Sequence, residues 1–133
     1  MFLSVLAKFL RLSLKWPTSS MPYQFIFRAR RRRFSLFVSR VSYFRRGIGL
    51  MFRTKYTRPL LFAFHRPCRV ALTSWFVFFP FVAVWLDDRR RVIEARVILP
   101  FTLTIVPHHS AHYLVEIPLN RRNSKITRFL VGK

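Results

Sequence analysis

The sequence is short of acids. Four of its 133 residues are Asp or Glu, against 25 Lys and Arg, which gives a formal net charge of +21. Asp87, Asp88, Glu94 and Glu116 all fall in the second half, and no acid lies between Met1 and Leu86. Self-repulsion of that size opposes compaction, and a polyanion or an anionic lipid surface would relieve it. Cysteine is almost missing: Cys68 is alone, so no intrachain disulfide forms, and cytoplasmic, membrane-associated and secreted settings stay open. A single thiol of this kind reads as a small buried hydrophobe, with His65 a faint candidate base three residues away. Glycine is scarce, at three residues, two of them in "RRGIGLMFR" (45–53). No nucleophile elbow, P-loop or dinucleotide fingerprint is present, and no internal repeat or low-complexity tract.

Apolar residues are what the chain does have. They make up 52% of it, too many for a disordered tail despite the charge. The length suits one domain with a short appendage. Residues 1–16, "MFLSVLAKFLRLSLKW", read as a helix stopped by Pro17. Lys8, Arg11 and Lys15 recur with Ser4 on one polar stripe, while Phe2, Leu3, Leu6, Phe9, Leu10, Leu14 and Trp16 cover the rest. Three cations interrupt the run, and it is short for a spanning helix, so the pattern fits a helix lying in a membrane interface. A signal peptide wants an uncharged middle, which Lys8 and Arg11 spoil. Packing on the domain is another reading, and Met21 is a second candidate start. "WPTSSMP" (16–22) reads as a linker, which divides the chain into an appendage at 1–22 and a domain at 23–133.

Within that domain the runs are short. "YQFIF" (23–27) and "FSLFVSRVSY" (34–43) are rich in aromatic and β-branched residues, with "RARRRR" (28–33) between them as a solvated turn or edge. Further runs follow at 60–64, 70–79, 81–86, 91–99, 101–106, 112–118 and 126–131, separated by "HRPCR", Pro80, "DDRR", Pro100, "PHHSA" and "NRRNS". Short strands at this spacing predict a mainly β fold: a small antiparallel sandwich or barrel with one or two short helices.

"RRGIGLMFR" resembles the "ER-x-x-GLM-[FY]-R" signature of the domain of unknown function 192 family, a set of small uncharacterised proteins. The resemblance continues in order. "LLFAF" (60–64) is similar to the family's "MLFxF", "LTSWFVFFPFVAVWLDD" (72–88) to "IHTFFMRFPIDVVFLDD", and "RRVIEA" (90–95) to "GRVVxx". "AHYLVEIP" (111–118) is similar to "AxYVLELP", and "VGK" (131–133) stands where the family has "VGD". The family signature therefore maps onto Gly49, Leu50, Met51, Phe52, Arg53, Pro80, Asp87, Pro100 and Glu116. It implies a compact β domain resembling a jelly roll, with Leu50, Met51 and Phe52 as core plugs and Glu116 as an internal ion-pair partner or turn anchor. The chain departs from the family at Thr73 (His), Val77 (Met), Phe78 (Arg), Val82 (Asp), Arg90 (Gly) and Lys133 (Asp). A polar site built on those positions is mostly replaced by apolar residues.

Candidate chemistry is sparse. "PHHSAH" (107–112) sets His108 and His112 four apart, but no carboxylate or thiolate lies near in sequence to complete a ligand set, so neither a metal nor a cofactor is expected. Asp87 and Asp88 sit in a presumed turn, next to arginines that neutralise them. Two clusters, Arg28 with Arg30, Arg31, Arg32 and Arg33, and Arg89, Arg90 and Arg91, are candidate anion-binding residues. No sequence-specific nucleic-acid module is visible. Three functions remain in order of preference: a non-catalytic, membrane-associated accessory domain on an anionic surface; a sequence-independent polyanion or nucleic-acid binder; and a diverged enzyme of unknown reaction. The small-molecule ligand and the oligomeric state are left open.

Overall fold

A computed structural model describes residues 22–41, 50, 53–69 and 71–132. The helix expected over residues 1–16, with its membrane-facing residues, lies outside that set, as do Gly49, Met51 and Phe52. Among the described residues, six strands and one helix form: β1 (Tyr23–Ala29), β2 (Arg32–Arg40), β3 (Leu60–Cys68), β4 (Phe81–Leu86), β5 (Val92–Ile98), β6 (Ala111–Pro118) and α1 (Ser124–Val131). The fold is mainly β with a short helix, as the sequence predicts. Where the sequence allows a two-sheet sandwich or a barrel, the strands form one sheet in the order β1-β2-β3-β6-β4-β5. This sheet curls into a half-barrel, so that edge strand β1 meets the residue just before edge strand β5 at a single parallel bridge between Arg28 and Arg91. The pairing is not wholly antiparallel either. β2 and β3 run parallel, joined at Ser39–Leu60 and Arg40–Leu61.

Alternation explains the strands. In β1, Phe25, Phe27 and Ala29 point inward while Gln24 and Arg28 face solvent. In β4 all six residues are buried, because both faces of the sheet are covered there. Phe81, Ala83 and Trp85 join one core with Leu60, Phe62, Leu114 and the loop residues Val77, Phe79 and Ile105. Val82, Val84 and Leu86 join the other, with Phe25, Phe27, Val38 and the helix residues Ile126 and Leu130. Each such Val, Leu or Phe contributes about 1.5–3 kcal/mol by leaving water.

Several expected boundaries change, each for a physical reason. The turn in "RARRRR" is only Arg30–Arg31. Both have positive φ, 49° and 73°, as a two-residue type I′ hairpin requires, and Arg32 and Arg33 are already strand. "HRPCR" is not a turn: β3 continues to Cys68, with a register irregularity between Ala63 and Cys68 that accommodates Pro67. The described part of 70–79 and all of 101–106 are loops rather than strands, joined by one bridge, Leu72–Ile105. Residues 126–131 are helical, not extended. Ile126, Thr127 and Leu130 are buried at helical spacing, and Gly132, at φ 74°, donates its N–H to the Arg128 carbonyl and ends the helix. Among the described residues no helix is long and apolar enough to cross a membrane.

Candidate functional site

The arginine clusters are 56 or more positions apart in parts of the sequence, yet the curl of the sheet joins them. The Arg28 N–H donates to the Arg90 carbonyl at 2.9 Å, beside the Arg28–Arg91 bridge. Asp87 organises the β4–β5 turn. Its Oδ1 accepts the N–H groups of Arg89 and Arg91, both at 2.9 Å, and its Oδ2 pairs with Arg91 Nε at 2.9 Å. Burial alone would raise the Asp87 carboxyl; the hydrogen bonds from Arg91 and Arg89 and the Arg91 charge outweigh it and hold the group below its ordinary value. Asp87 is thus a turn anchor with its charge matched. Arg90 has a φ of 61°, the left-handed conformation for which glycine is suited, and its guanidinium lies 4.8 Å from the Phe25 ring and 5.7 Å from Tyr113. Arg30 and Arg32 lie 5.6 and 5.2 Å from the Phe129 ring of α1. Arg28, Arg31, Arg33 and Arg89 are exposed with the rest. The result is one basic face.

The family-signature positions have structural settings. Leu50 is buried in the first core. Glu116 is buried on β6, where its carboxylate accepts the Leu50 N–H and feels the Arg53 charge. Burial dominates and raises its pKa to about 7; the Leu50 hydrogen bond and Arg53 offset this only in part. Its Oε2 has no hydrogen-bond partner among the described residues. Arg53, half-buried, is held below its ordinary value by desolvation, with Glu116 opposing. Pro80 accepts the Leu119 N–H through its carbonyl, 3.1 Å away, and Pro100 starts the turn that carries Phe101. Of the positions that differ from the signature the sequence resembles, Val77 and Val82 are core, while Thr73 and Phe78 are exposed.

Sequence reading missed a second surface. The loops at 71–79 and 99–106 are clamped by Ser74, which is fully buried. Its N–H donates to the Thr102 carbonyl and its carbonyl accepts from Phe101 N–H, both at 2.9 Å. Its Oγ donates to the Leu99 carbonyl at 2.7 Å and accepts from Thr102 N–H at 2.8 Å. The clamp presents Trp75, Phe78 and Phe101 to solvent as an edge-to-face group, with Phe101 5.5 Å from Phe78 and 6.4 Å from Trp75. Phe101 is 51% exposed and takes a φ of 62°. For a bulky residue this costs on the order of 1 kcal/mol, so the surrounding hydrogen bonds must hold it there. Leu99 and Leu103 extend the apolar surface. In the sequence these aromatics look like core, and nothing in their spacing marks them as exposed.

A third grouping also escaped the sequence. Glu94 on β5 pairs with Arg96 and accepts the His108 N–H at 2.9 Å, and His108 Nδ1 lies 3.2 Å from Glu94 Oε2. Burial raises the Glu94 carboxyl, but the His108 and Arg96 hydrogen bonds and charges outweigh it and leave the group below its ordinary value. The arrangement ties the long loop to the sheet. Among the described residues no group of three or more His, Cys, Asp or Glu side chains could hold a metal ion.

No family model and no curated protein matches the chain. Two solved structures are similar in fold. A protein of unknown function from Novosphingobium aromaticivorans DSM 12444 superimposes with a TM-score of 0.64 at 15% identity, over 79% of this chain and 76% of that one. A candidate transcription regulator from Sinorhizobium meliloti 1021 gives a TM-score of 0.64 at 19% identity, over 80% of this chain and 82% of that one. At such identities the likeness is one of fold alone.

Proposed function

We propose that this is a non-catalytic β domain of the domain of unknown function 192 type, an accessory protein that associates with anionic membranes. The observation that carries the reading is the exposed Trp75–Phe78–Phe101 group, held outward by Ser74 and flanked by Leu99 and Leu103. Trp and Phe presented on rigid loops suit the headgroup boundary of a bilayer, and a net charge of +21 draws the chain to anionic lipid. Residues 1–16 would add a second apolar anchor of the amphipathic kind. Co-sedimentation with vesicles of phosphatidylserine and phosphatidylcholine tests this. The full chain binds, and Trp75→Ser with Phe101→Ser lowers binding about tenfold, the equivalent of about 1.4 kcal/mol of lost apolar transfer. Equal binding by the double variant refutes the loop contact.

A second reading, sequence-independent polyanion binding, is favoured by the Arg28–Arg91 bridge that unites the two arginine clusters. Exposed arginines without base-reading elements bind phosphate backbones by counterion release. Retention on single- and double-stranded DNA should then fall steeply with salt, and Arg30→Gln with Arg32→Gln and Arg91→Gln should flatten that slope. A slope unchanged by the triple variant removes this reading.

A further inference from the structure

A third region of the surface belongs to neither reading. Lys55, Tyr56, Asn120, Arg121 and Arg122 line a cavity of about 480 Å³ before the start of α1. Of the five described lining residues, three are cations and none is an acid. An adjoining cavity of about 370 Å³ shares Tyr56, Asn120 and Arg122 and adds Arg58. Asn120 fastens the two walls together: its Nδ2 donates to the Lys55 carbonyl at 2.7 Å, and its Oδ1 accepts the Asn123 N–H at 2.9 Å. The positive end of α1 adjoins this wall. It has no acid in its first turn, and the Asn123 side chain makes no cap bond to it. The Lys55 ammonium lies 5.2 Å from the centre of the Tyr56 ring, which is 70% exposed at the rim. Among the described residues, none of the three cations takes part in an ion pair.

We infer that this cavity binds a nucleotide-sized phosphate ester. Lys55, Arg121 and Arg122 receive the phosphate groups, and Tyr56 gives a planar base a surface to stack on. Arginine suits the phosphate, since its planar fork donates two hydrogen bonds at once, and the absence of an acid removes the usual competitor. The volume lies within the range of about 300–1,000 Å³ typical of small-ligand sites. A phosphorylated lipid headgroup shares the phosphate chemistry but has no base, so the exposed tyrosine favours the nucleotide. The inference stands apart from the membrane reading, because it uses no residue of the Trp75–Phe101 surface.

Isothermal titration of the full chain at 0.15 M salt with ADP, pyrophosphate, adenosine and inositol 1,4-bisphosphate is the test. ADP binds saturably with one-to-one stoichiometry. Arg121→Gln with Arg122→Gln weakens it by about tenfold or more, as loss of charge-assisted contacts implies. Tyr56→Ala weakens ADP several-fold and leaves pyrophosphate unchanged. Arg30→Gln with Arg32→Gln, on the other basic face, leaves both unchanged. Thermal unfolding of each variant confirms that it is folded. The inference is overturned if neither ADP nor pyrophosphate saturates, or if the Arg30/Arg32 variant loses as much affinity as the Arg121/Arg122 variant. Tighter binding of inositol bisphosphate than of ADP, or an ADP affinity indifferent to Tyr56, overturns the nucleotide assignment.

Discussion

Replacing Glu116 by Gln should change how stability depends on pH. The carboxyl is buried, accepts the Leu50 N–H and feels the Arg53 charge, and it titrates at about 7 in the folded chain, against 4.5 in the unfolded one. Between those values the folded state keeps a proton that the unfolded state has released. The stability contributed by that proton is complete below pH 4.5, declines as pH rises, and is gone once pH passes through 7. The difference between 4.5 and about 7 corresponds to about 3 kcal/mol. This is a large part of the 5–15 kcal/mol or so that holds a typical domain folded. Glutamine keeps an oxygen for the Leu50 N–H and never ionises, so the variant lacks this decline. Urea unfolding followed by tryptophan fluorescence, to which buried Trp85 contributes, from pH 5 to 8, measures it. The stability of wild type minus variant should fall by about 2–3 kcal/mol across that window. Asp87 and Glu94 do not interfere. Their carboxyls are held low, so their contribution is present above the ordinary carboxylate value and is lost only as pH falls below it. Parallel curves for the two proteins would mean that Glu116 is ionised without cost, and the reasoning would fail.

Two other changes test local strain and local hydrogen bonding. Arg31 holds a φ of 73° in the β1–β2 turn, so Arg31→Gly should raise stability by about 1 kcal/mol, read as a higher urea midpoint with unchanged slope; a loss of stability would mean that the side chain makes a compensating contact. Ser74→Ala strips the Leu99 carbonyl and the Thr102 N–H of a buried partner and should cost about 2–3 kcal/mol. It should also blunt vesicle binding by releasing Phe101, which a fluorophore placed at residue 103 would report as increased mobility.

How much of this was legible depends on whether a feature is local. The β4 run "FVAVWL" and the alternation of β1 are properties of neighbouring residues, and both emerge as strands. The arginine turn was legible in place though not in length, because a two-residue turn needs left-handed backbone that arginine rarely adopts. The helix at 124–131 was not legible: a six-residue apolar run fits either state, and its burial against β1 and β4 residues decides the matter. The parallel β2–β3 pairing, the Arg28–Arg91 bridge, the Ser74 clamp across 25 to 28 residues and the Glu94–His108 pair all depend on closure of distant chain. Trp75, Phe78 and Phe101 lie in or next to apolar runs, and nothing in their spacing separates exposed aromatics from buried ones. The hydrogen bonds of Ser74 to Leu99, Phe101 and Thr102 help hold the loops that present them outward.

The positions of the basic face and the aromatic loops bear on whether one membrane could engage both. Arg89–Arg91 occupy the turn that starts β5, while Leu99 and Phe101 follow its end. β5 has seven residues, so the two surfaces stand about 20 Å apart along the strand at about 3.3 Å per residue. A planar bilayer that receives Trp75 and Phe101 with β5 along its normal would leave these arginines beyond the Debye length of about 8 Å at physiological salt, where their attraction is largely screened. Insertion through the loops and attraction through the β4–β5 turn are then separate contacts that need not compete. Arg91→Gln should leave vesicle binding near the wild-type level while weakening retention on DNA. If vesicle binding instead follows the arginines and ignores Trp75 and Phe101, the loops do not touch lipid, and the basic face is the surface that meets the membrane.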